Sequence, residues 1–439
     1  MSADSGPHPP ITAAQGLRYG LLGLPLAFVA LPLYVVLPNH YAREFGVPLA
    51  TLGAVLLGAR LLDALIDPLI GRVTDVLFAR SLRSVLAWCA AACVILGLGF
   101  SLLFFPPTRE PAPLVAWASV MLVVTYAAYS ALSVAHQAWG AMLGGDEAQR
   151  SRIVSWREGL GLAGVLLASV MPALAGLRWT TALFMLALLC GWLAWTQAPR
   201  PRPVMRHTDF NLWLPFKRPA FRRLLAVFVL NGIASAIPAT LVLFFVQDRL
   251  QAPRSMEPAF LGSYFLFAAL SIPLWLQLVR RLGLARSWLC GMVLSMAVFI
   301  WATQLGAGDT TTFLVVCALS GLALGTDLAL PGAMLAGVIA QAGDRGQSEG
   351  AYFGWWNFAT KLNLALAAGL ALPLLGMFGY LPGAREAGAL NALTVAYCLL
   401  PCLLKLMAAA ALYLLVIRPG KRMDPSHNNS ELGITHHVS

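Results

Sequence analysis

Twelve apolar runs divide this chain. They lie near 17–38, 47–70, 84–105, 113–143, 153–177, 179–198, 224–246, 258–279, 287–305, 311–340, 350–378 and 388–416. Each is about as long as, or longer than, the roughly 20 residues that a helix needs to cross a hydrocarbon layer. Inside lipid every backbone N–H and C=O must find a partner within the segment, so such a run folds as an α-helix. Strand-type alternation is missing, which argues against a β-barrel. Only 11% of the 439 residues are charged and the mean hydropathy is +0.74, against about 25% charged in ordinary globular proteins. The expected fold is an all-α membrane protein of twelve transmembrane helices.

The charges outside the runs set the expected topology. Loops after even-numbered spans carry 19 Lys and Arg, and the opposite loops carry six. Basic loops stay on the cytoplasmic side, which places both termini in the cytoplasm. The net charge of +11 therefore reports orientation and anionic lipid, not nucleic acid. The widest basic gap, 199–223, holds five prolines and seven basic residues, the composition of a linker. It divides the chain into a tail at 1–16, a six-helix half at 17–198, the central loop 199–223, a second half at 224–417 and a polar tail at 418–439. Two pseudo-symmetric halves joined by an inner loop are a layout of secondary transporters. All seven cysteines fall inside spans and read as packing residues.

Charged residues inside the spans carry the functional reading. A charge at the bilayer centre costs about 2.5–3.5 kcal/mol, so such residues face a bundle interior or a watery cavity. Arg60, Asp63 and Asp67 sit at i, i+3 and i+7 on span 2, hence on one face. Paired carboxylates can begin an oxygen cage for a hard cation or share a proton. Lys361 lies mid-span in helix 11 and is expected to pair with Asp63 or Asp67 across the two halves. Arg157 and Glu158 are adjacent and so diverge by about 100°. Arg157 is expected at the cavity, with Glu158 meeting Arg150 or Arg152 at the rim. His136 is a candidate proton carrier or a hydrogen-bonding wall residue beside Ser133 and Gln137. Asp327 either partners Lys405 or lines the cavity. Pro68 in span 2 and Pro331 in span 10 are candidate points of helix unwinding. No nucleotide-binding loop, nucleophile elbow or zinc-protease motif is present, and neither a cofactor nor enzymatic activity is expected.

The stretch from Arg60 through Asp63, Asp67 and Pro68 to Gly71 and Asp75 resembles the span-2 signature of the glycoside–pentoside–hexuronide:cation symporters. That family is the melibiose-carrier branch of the major facilitator superfamily. Gly350-Ala-Tyr352-Phe353-Gly354 running to Lys361 is similar to the family's span-11 start. The resemblance implies symport of a sugar-like solute with Na⁺ or H⁺ by alternating access. It places Asp63 and Asp67 on the family's cation-site carboxylates, with Ser130 as a further cation-site hydroxyl. It places Arg157 near the substrate path and Lys361 on the span-11 lysine. Arg60, His136, Asp327 and Trp356 complete the substrate or gating candidates, and Gly71, Asp75, Arg80 and Arg83 form a cytoplasmic loop motif. Where the sugar carriers hold carboxylates or Trp, this chain has Phe28, Ser133 and Gln137. That departure opens an alternative, an amphipathic or lysolipid-like solute. A third reading is a membrane sensor that transports nothing. The expected setting is a bacterial inner membrane, with a monomer whose partners are a small-molecule solute, a monovalent cation and membrane lipid.

Overall fold

The computed structural model describes residues 11–201, 211–377, 379–380 and 383–419. The start of the N-terminal tail, residues 202–210 of the central loop and nearly all of the C-terminal tail lie outside the described residues. Twelve long helical segments follow the twelve apolar runs. They are α1 (Ala13–Leu31), α2 (Leu49–Arg80), α3 (Leu82–Phe104), α4 (Pro111–Leu143), α5 (Glu147–Pro172), α6 (Leu174–Thr196), α7 (Pro219–Arg249), α8 (Glu257–Leu282), α9 (Leu284–Ala302), α10 (Thr310–Gln341), α11 (Glu349–Met377) and α12 (Ala387–Ile417). No strand occurs among the described residues. Ten of the twelve are long and apolar enough to cross a membrane. The other two, α2 and α11, have 32 and 29 residues and carry Arg60, Asp63, Asp67 and Lys361.

Side-chain character explains why α2 sits as it does. Leu61, Leu65 and Leu69 recur every fourth residue and are 50%, 63% and 57% exposed. Asp63 and Asp67, on the other side of the helix, are 4% and 0% exposed. Such an apolar outer stripe would be a liability in water; in a bilayer it is the lipid face. The same pattern recurs on α3, α6 and α12, where large aliphatic residues stay exposed. Chain ends are fixed locally. Asp146 caps α5 by accepting from Gln149 N–H at 2.7 Å, and Ser81 caps α3 by accepting from Ser84 N–H at 3.1 Å. Gly176, with φ 76°, breaks the helical path in the first residues of α6, a conformation that glycine adopts without strain.

The expectation of unwound spans is corrected. Pro68 and Pro331 lie inside unbroken helices. Each proline removes one backbone bond and crowds the carbonyl four residues back, and neighbouring helices hold the segment in place regardless. Irregular backbone appears elsewhere, as π-helical turns at Pro32–Val36, Phe245–Arg249, Val395–Leu399 and Tyr413–Ile417.

The first six helices meet the last six along a seam of α2, α4 and α5 against α8, α10 and α11. Backbone approaches backbone where α2 crosses α11. A Cβ on Gly71 would lie 2.1 Å from the Gly350 carbonyl oxygen, and one on Gly354 would lie 2.7 Å from the Asp67 carbonyl oxygen. Small residues permit this approach in membranes, where packing rather than hydrophobic drive holds helices together. It is this crossing that brings Lys361 to the acidic pair.

Candidate functional site

One ammonium and two carboxylates meet between α2, α4 and α11. Lys361 Nζ lies 2.6 Å from Asp63 Oδ2 and 2.8 Å from Asp67 Oδ2. It also donates to Ser130 Oγ at 2.9 Å, and Ser130 donates to Asp63 Oδ1 at 2.8 Å. The ammonium's three donors are thus directed at two carboxylates and one hydroxyl. Asp67 is fully buried, Ser130 is 1% exposed and the lysine side chain 15%. With every group ionised, the cluster carries a net charge of −1 in a low-dielectric setting. Desolvation on this scale is repaid only by close, well-aligned partners. The oxygens around Nζ (carboxylate, carboxylate, hydroxyl) form the donor set that a monovalent hard cation takes. Lys361 occupies that position as a tethered cation. No cluster of three or more His, Cys, Asp or Glu residues fit to hold a metal ion occurs among the described residues.

The remaining residues singled out from the sequence separate into neighbours and non-neighbours of this cluster. Gln137 donates to Ser133 Oγ at 2.8 Å and to Asn357 Oδ1 at 3.2 Å, a polar bridge from α4 to α11. Arg60 lies on α2 with its guanidinium 5.6 Å above the Tyr126 ring, a cation–π contact. Of the two alternatives for Asp327, the structure shows the pairing with Lys405, at 2.9 Å. The cavity it lines lies within the second half and does not reach Asp63 or Asp67.

Four expectations are corrected. Glu158 does not meet Arg150 or Arg152. Arg157 curls back onto it, with Nε at 3.0 Å and Nη2 at 2.6 Å from Oε1. Adjacent Cα–Cβ bonds do diverge, but a side chain as long as arginine bridges the gap. Arg150 and Arg152 instead donate to the carbonyls of Gly145 and Ile11. His136 is sealed from any cavity at 0% exposure. Its Nε2 donates to the Tyr19 carbonyl at 2.8 Å, while Tyr19 donates back to the His136 carbonyl at 3.0 Å. The histidine therefore joins α1 to α4. Phe28 is likewise fully buried and stacks on Phe184, so it does not face a substrate path. Trp356 is 6% exposed and stacks on Phe228 at 3.8 Å, packing inside the second half.

The loop ends of the two halves are locked together. Asp75 accepts from Gly350 N–H at 2.6 Å and Ala351 N–H at 2.9 Å, which satisfies two orphan amides at the start of α11. Arg72 holds the same carboxylate at 3.2 Å. On the pseudo-symmetric side, Glu147 accepts from Leu284 N–H at 2.8 Å at the start of α9. Arg345 donates to the Met142 carbonyl at 3.2 Å. Arg218 forms a two-pronged pair with Asp344, at 2.6 and 3.0 Å, and this carboxylate raises the guanidinium pKa above its ordinary value. Arg80 and Arg83 are exposed beside this seam. The Asp75 contact had a sequence signal in the Gly71–Asp75 stretch, but the expectation that Gly71 and Asp75 lie in a cytoplasmic loop is corrected, because α2 runs unbroken to Arg80 and both sit on its last turns. Glu147 and Asn357 had none, because any acid or amide near a helix end looks alike in one dimension.

Comparison with known proteins follows the same lines. The profile of the family described as "MFS/sugar transport protein" matches residues 18–418. YagG of Escherichia coli (strain K12), described as a candidate glycoside/cation symporter, is 28% identical over 158 residues, 36% of this chain and 34% of that protein. The inner membrane symporter YicJ of the same organism is 27% identical over 131 residues, 30% of this chain and 28% of that protein. The matched stretch thus spans about a third of these relatives' length. Among solved structures, an outward-facing bacterial homologue of the iron transporter ferroportin superposes with a TM-score of 0.70 at 17% identity, covering 92% of this chain and 99% of that one. The Escherichia coli fucose:proton symporter FucP gives 0.64 at 13% identity, covering 91% and 98%. At these identities the structures speak for the fold.

Proposed function

Because this chain belongs to the MFS/sugar transport family, a family of transporters rather than enzymes, we propose that it is a cation-coupled symporter of a sugar-like solute working by alternating access. The observation that carries the proposal is the surplus carboxylate. Lys361 faces both Asp63 and Asp67 at under 3 Å, and one ammonium neutralises only one of them. A monovalent cation, Na⁺ or H⁺, satisfies the other. Na⁺ competes with Lys361 for Asp63, Asp67 and Ser130, and a proton settles on the carboxylates themselves. Either way the ammonium loosens its hold on α2. Because Lys361 belongs to α11 and the carboxylates to α2, cation loading changes the bond between the halves.

The latch at Gly71, Asp75 and the α11 amides closes one end of the molecule. The basic loops put that end in the cytoplasm, with both termini on the same side. The inner membrane of a bacterium is the setting, and a single copy suffices. Arg157, whose tip approaches Gly332 of α10, lies at the seam and is the substrate-contacting candidate. Asp327 belongs to a separate centre. The amphipathic-solute reading drew its support from Phe28, Ser133 and Gln137, which stand where the sugar carriers hold carboxylates or Trp; the sugar-transport family match and the glycoside/cation relatives favour the sugar-like solute instead.

Uptake into proteoliposomes tests the proposal. Labelled glycosides are expected to accumulate under an imposed ΔNa⁺ or ΔpH and to stop when that gradient is collapsed. No accumulation under either gradient would overturn symport. Ser130→Ala removes one oxygen from the cluster while leaving both carboxylates. Loss of one hydrogen bond to a charged group costs about 1.5–3 kcal/mol, so the half-saturating cation concentration should rise at least about ten-fold with little change at saturation. An unchanged cation dependence would remove Ser130 from the site.

A further inference from the structure

A second charged centre lies in the second half, with a cavity beside it that the transport reading leaves unused. Asp327 accepts four hydrogen bonds: Asn231 Nδ2 at 3.0 Å, Ser235 Oγ at 3.1 Å, Trp288 Nε1 at 2.8 Å and Lys405 Nζ at 2.9 Å. One carboxylate faces one ammonium, so this centre is neutral. Unlike the Lys361 cluster it has no surplus charge to attract a cation. Over it opens a cavity of about 280 Å³, lined by α7, α8, α9, α10 and α12 and closed on one side by Leu31 of α1. Apart from the ion pair and a few serines the walls are apolar, with Tyr264, Phe265 and Phe299 among them.

Ser320 lines this cavity from α10. It is 8% exposed, and its hydroxyl has no hydrogen-bond partner. Many helical hydroxyls in this molecule bond back to their own helix, as Thr125 does to the Met121 carbonyl at 2.6 Å and Ser287 to the Gly283 carbonyl at 2.7 Å. Ser320 does not. Ser155 and Thr181 are unpaired as Ser320 is, but neither lines this cavity. A buried hydroxyl left unpaired costs about 1–3 kcal/mol, and native proteins rarely leave one so.

We propose that this cavity is a binding site for a neutral, mainly apolar molecule of one or two rings whose single hydroxyl meets Ser320. Charged ligands are disfavoured, because the ion pair is already balanced and the walls offer no counter-charge. A free sugar is disfavoured too, since most of its hydroxyls would face hydrocarbon. A ring suits the aromatic walls through edge-to-face and stacked contacts. The volume falls near the lower end for ligand pockets, roughly 300–1,000 Å³, which matches a substituted benzene rather than a disaccharide.

The test uses purified full-length protein in detergent with 4-bromobenzyl alcohol as the probe. Binding is followed by isothermal calorimetry, and the bromine is located by anomalous scattering in soaked crystals. The expected result is a bromine peak beside Ser320 and Asp327. Ser320→Ala should weaken binding about ten-fold, the value of one ordinary hydrogen bond. Ala323→Phe, which fills the cavity, should abolish it; Met296→Trp fills the same space from α9 should the first variant not fold. A bromine peak confined to the detergent-covered surface, equal binding by the filled variant, or no binding at all would overturn the site. The measurement needs neither an ion gradient nor a transported sugar, so its failure and the failure of symport are told apart.

Discussion

Asp67→Asn is expected to abolish gradient-driven uptake while leaving the protein as stable as the parent or more so. The variant keeps Asp63, which is 2.6 Å from Lys361, so the ammonium still has a full counter-charge. What disappears is the surplus negative charge, and with it the reason for a cation to enter. Holding such a charge in the membrane costs about 2.5–3.5 kcal/mol. Removing it therefore takes away cation preference of that order, about 100-fold at 1.36 kcal/mol per decade. Lys361→Met has the opposite consequence for stability. It leaves two buried carboxylates facing each other without an ammonium. Stripping a buried pair of one partner costs about 3–5 kcal/mol, so this variant should melt lower and regain stability as Na⁺ is added. Uptake assays and melting curves, with and without Na⁺, read both. Sustained gradient-driven uptake by Asp67→Asn, or a Lys361→Met protein as stable as the parent without Na⁺, would refute the assignment.

Gly71→Val should lock the molecule out of the closed-cytoplasm state. The new Cβ would lie 2.1 Å from the Gly350 carbonyl oxygen. That neighbour is backbone, so no rotamer change relieves the clash. Separating α2 from α11 is the only relief, and it also pulls Asp75 from the Gly350 and Ala351 amides. Overpacking penalties run to about 1–3 kcal/mol, enough to shift a two-state equilibrium by roughly 5- to 150-fold. Turnover should fall in proportion, and hydrogen exchange at Gly350 and Ala351 should quicken. Protection of both amides equal to the parent's would show that the crossing tolerates the extra methyls and is not the latch.

Much of the fold was legible because lipid leaves the backbone few choices. Each of the twelve apolar runs maps to a helix, and the non-helical Gly176 falls two residues before the expected break at 178. The partnership of Lys361 with Asp63 and Asp67 was legible for an electrostatic reason: opposite charges stranded in hydrocarbon must find each other. The misreadings share a different cause. His136 and Trp356 are cavity candidates because polar or aromatic residues on a span can face one, and Phe28 because it stands where the sugar carriers hold a carboxylate. Whether they do depends on how far each helix is rotated about its axis. That rotation is set by neighbours such as Tyr19, Phe184 and Phe228. Arg157 and Glu158 were separated by helical geometry that governs Cβ atoms and says little about the tip of a long side chain.

The sequence by itself determined that this chain crosses a membrane many times, which loops are basic, and that an acidic pair on α2 needed a positive partner or a proton. These follow from transfer energies, which act on residues one at a time. Only the tertiary structure decided that Lys361 bridges both carboxylates with Ser130, that Asp75 and Glu147 cap helices of the opposite half, and that Ser320 and Asp327 share a cavity. Apart from Ser320 and Asp327, which share α10, those are distances between residues more than a hundred positions apart, fixed by how close glycine lets two helices come and how each is turned against the next.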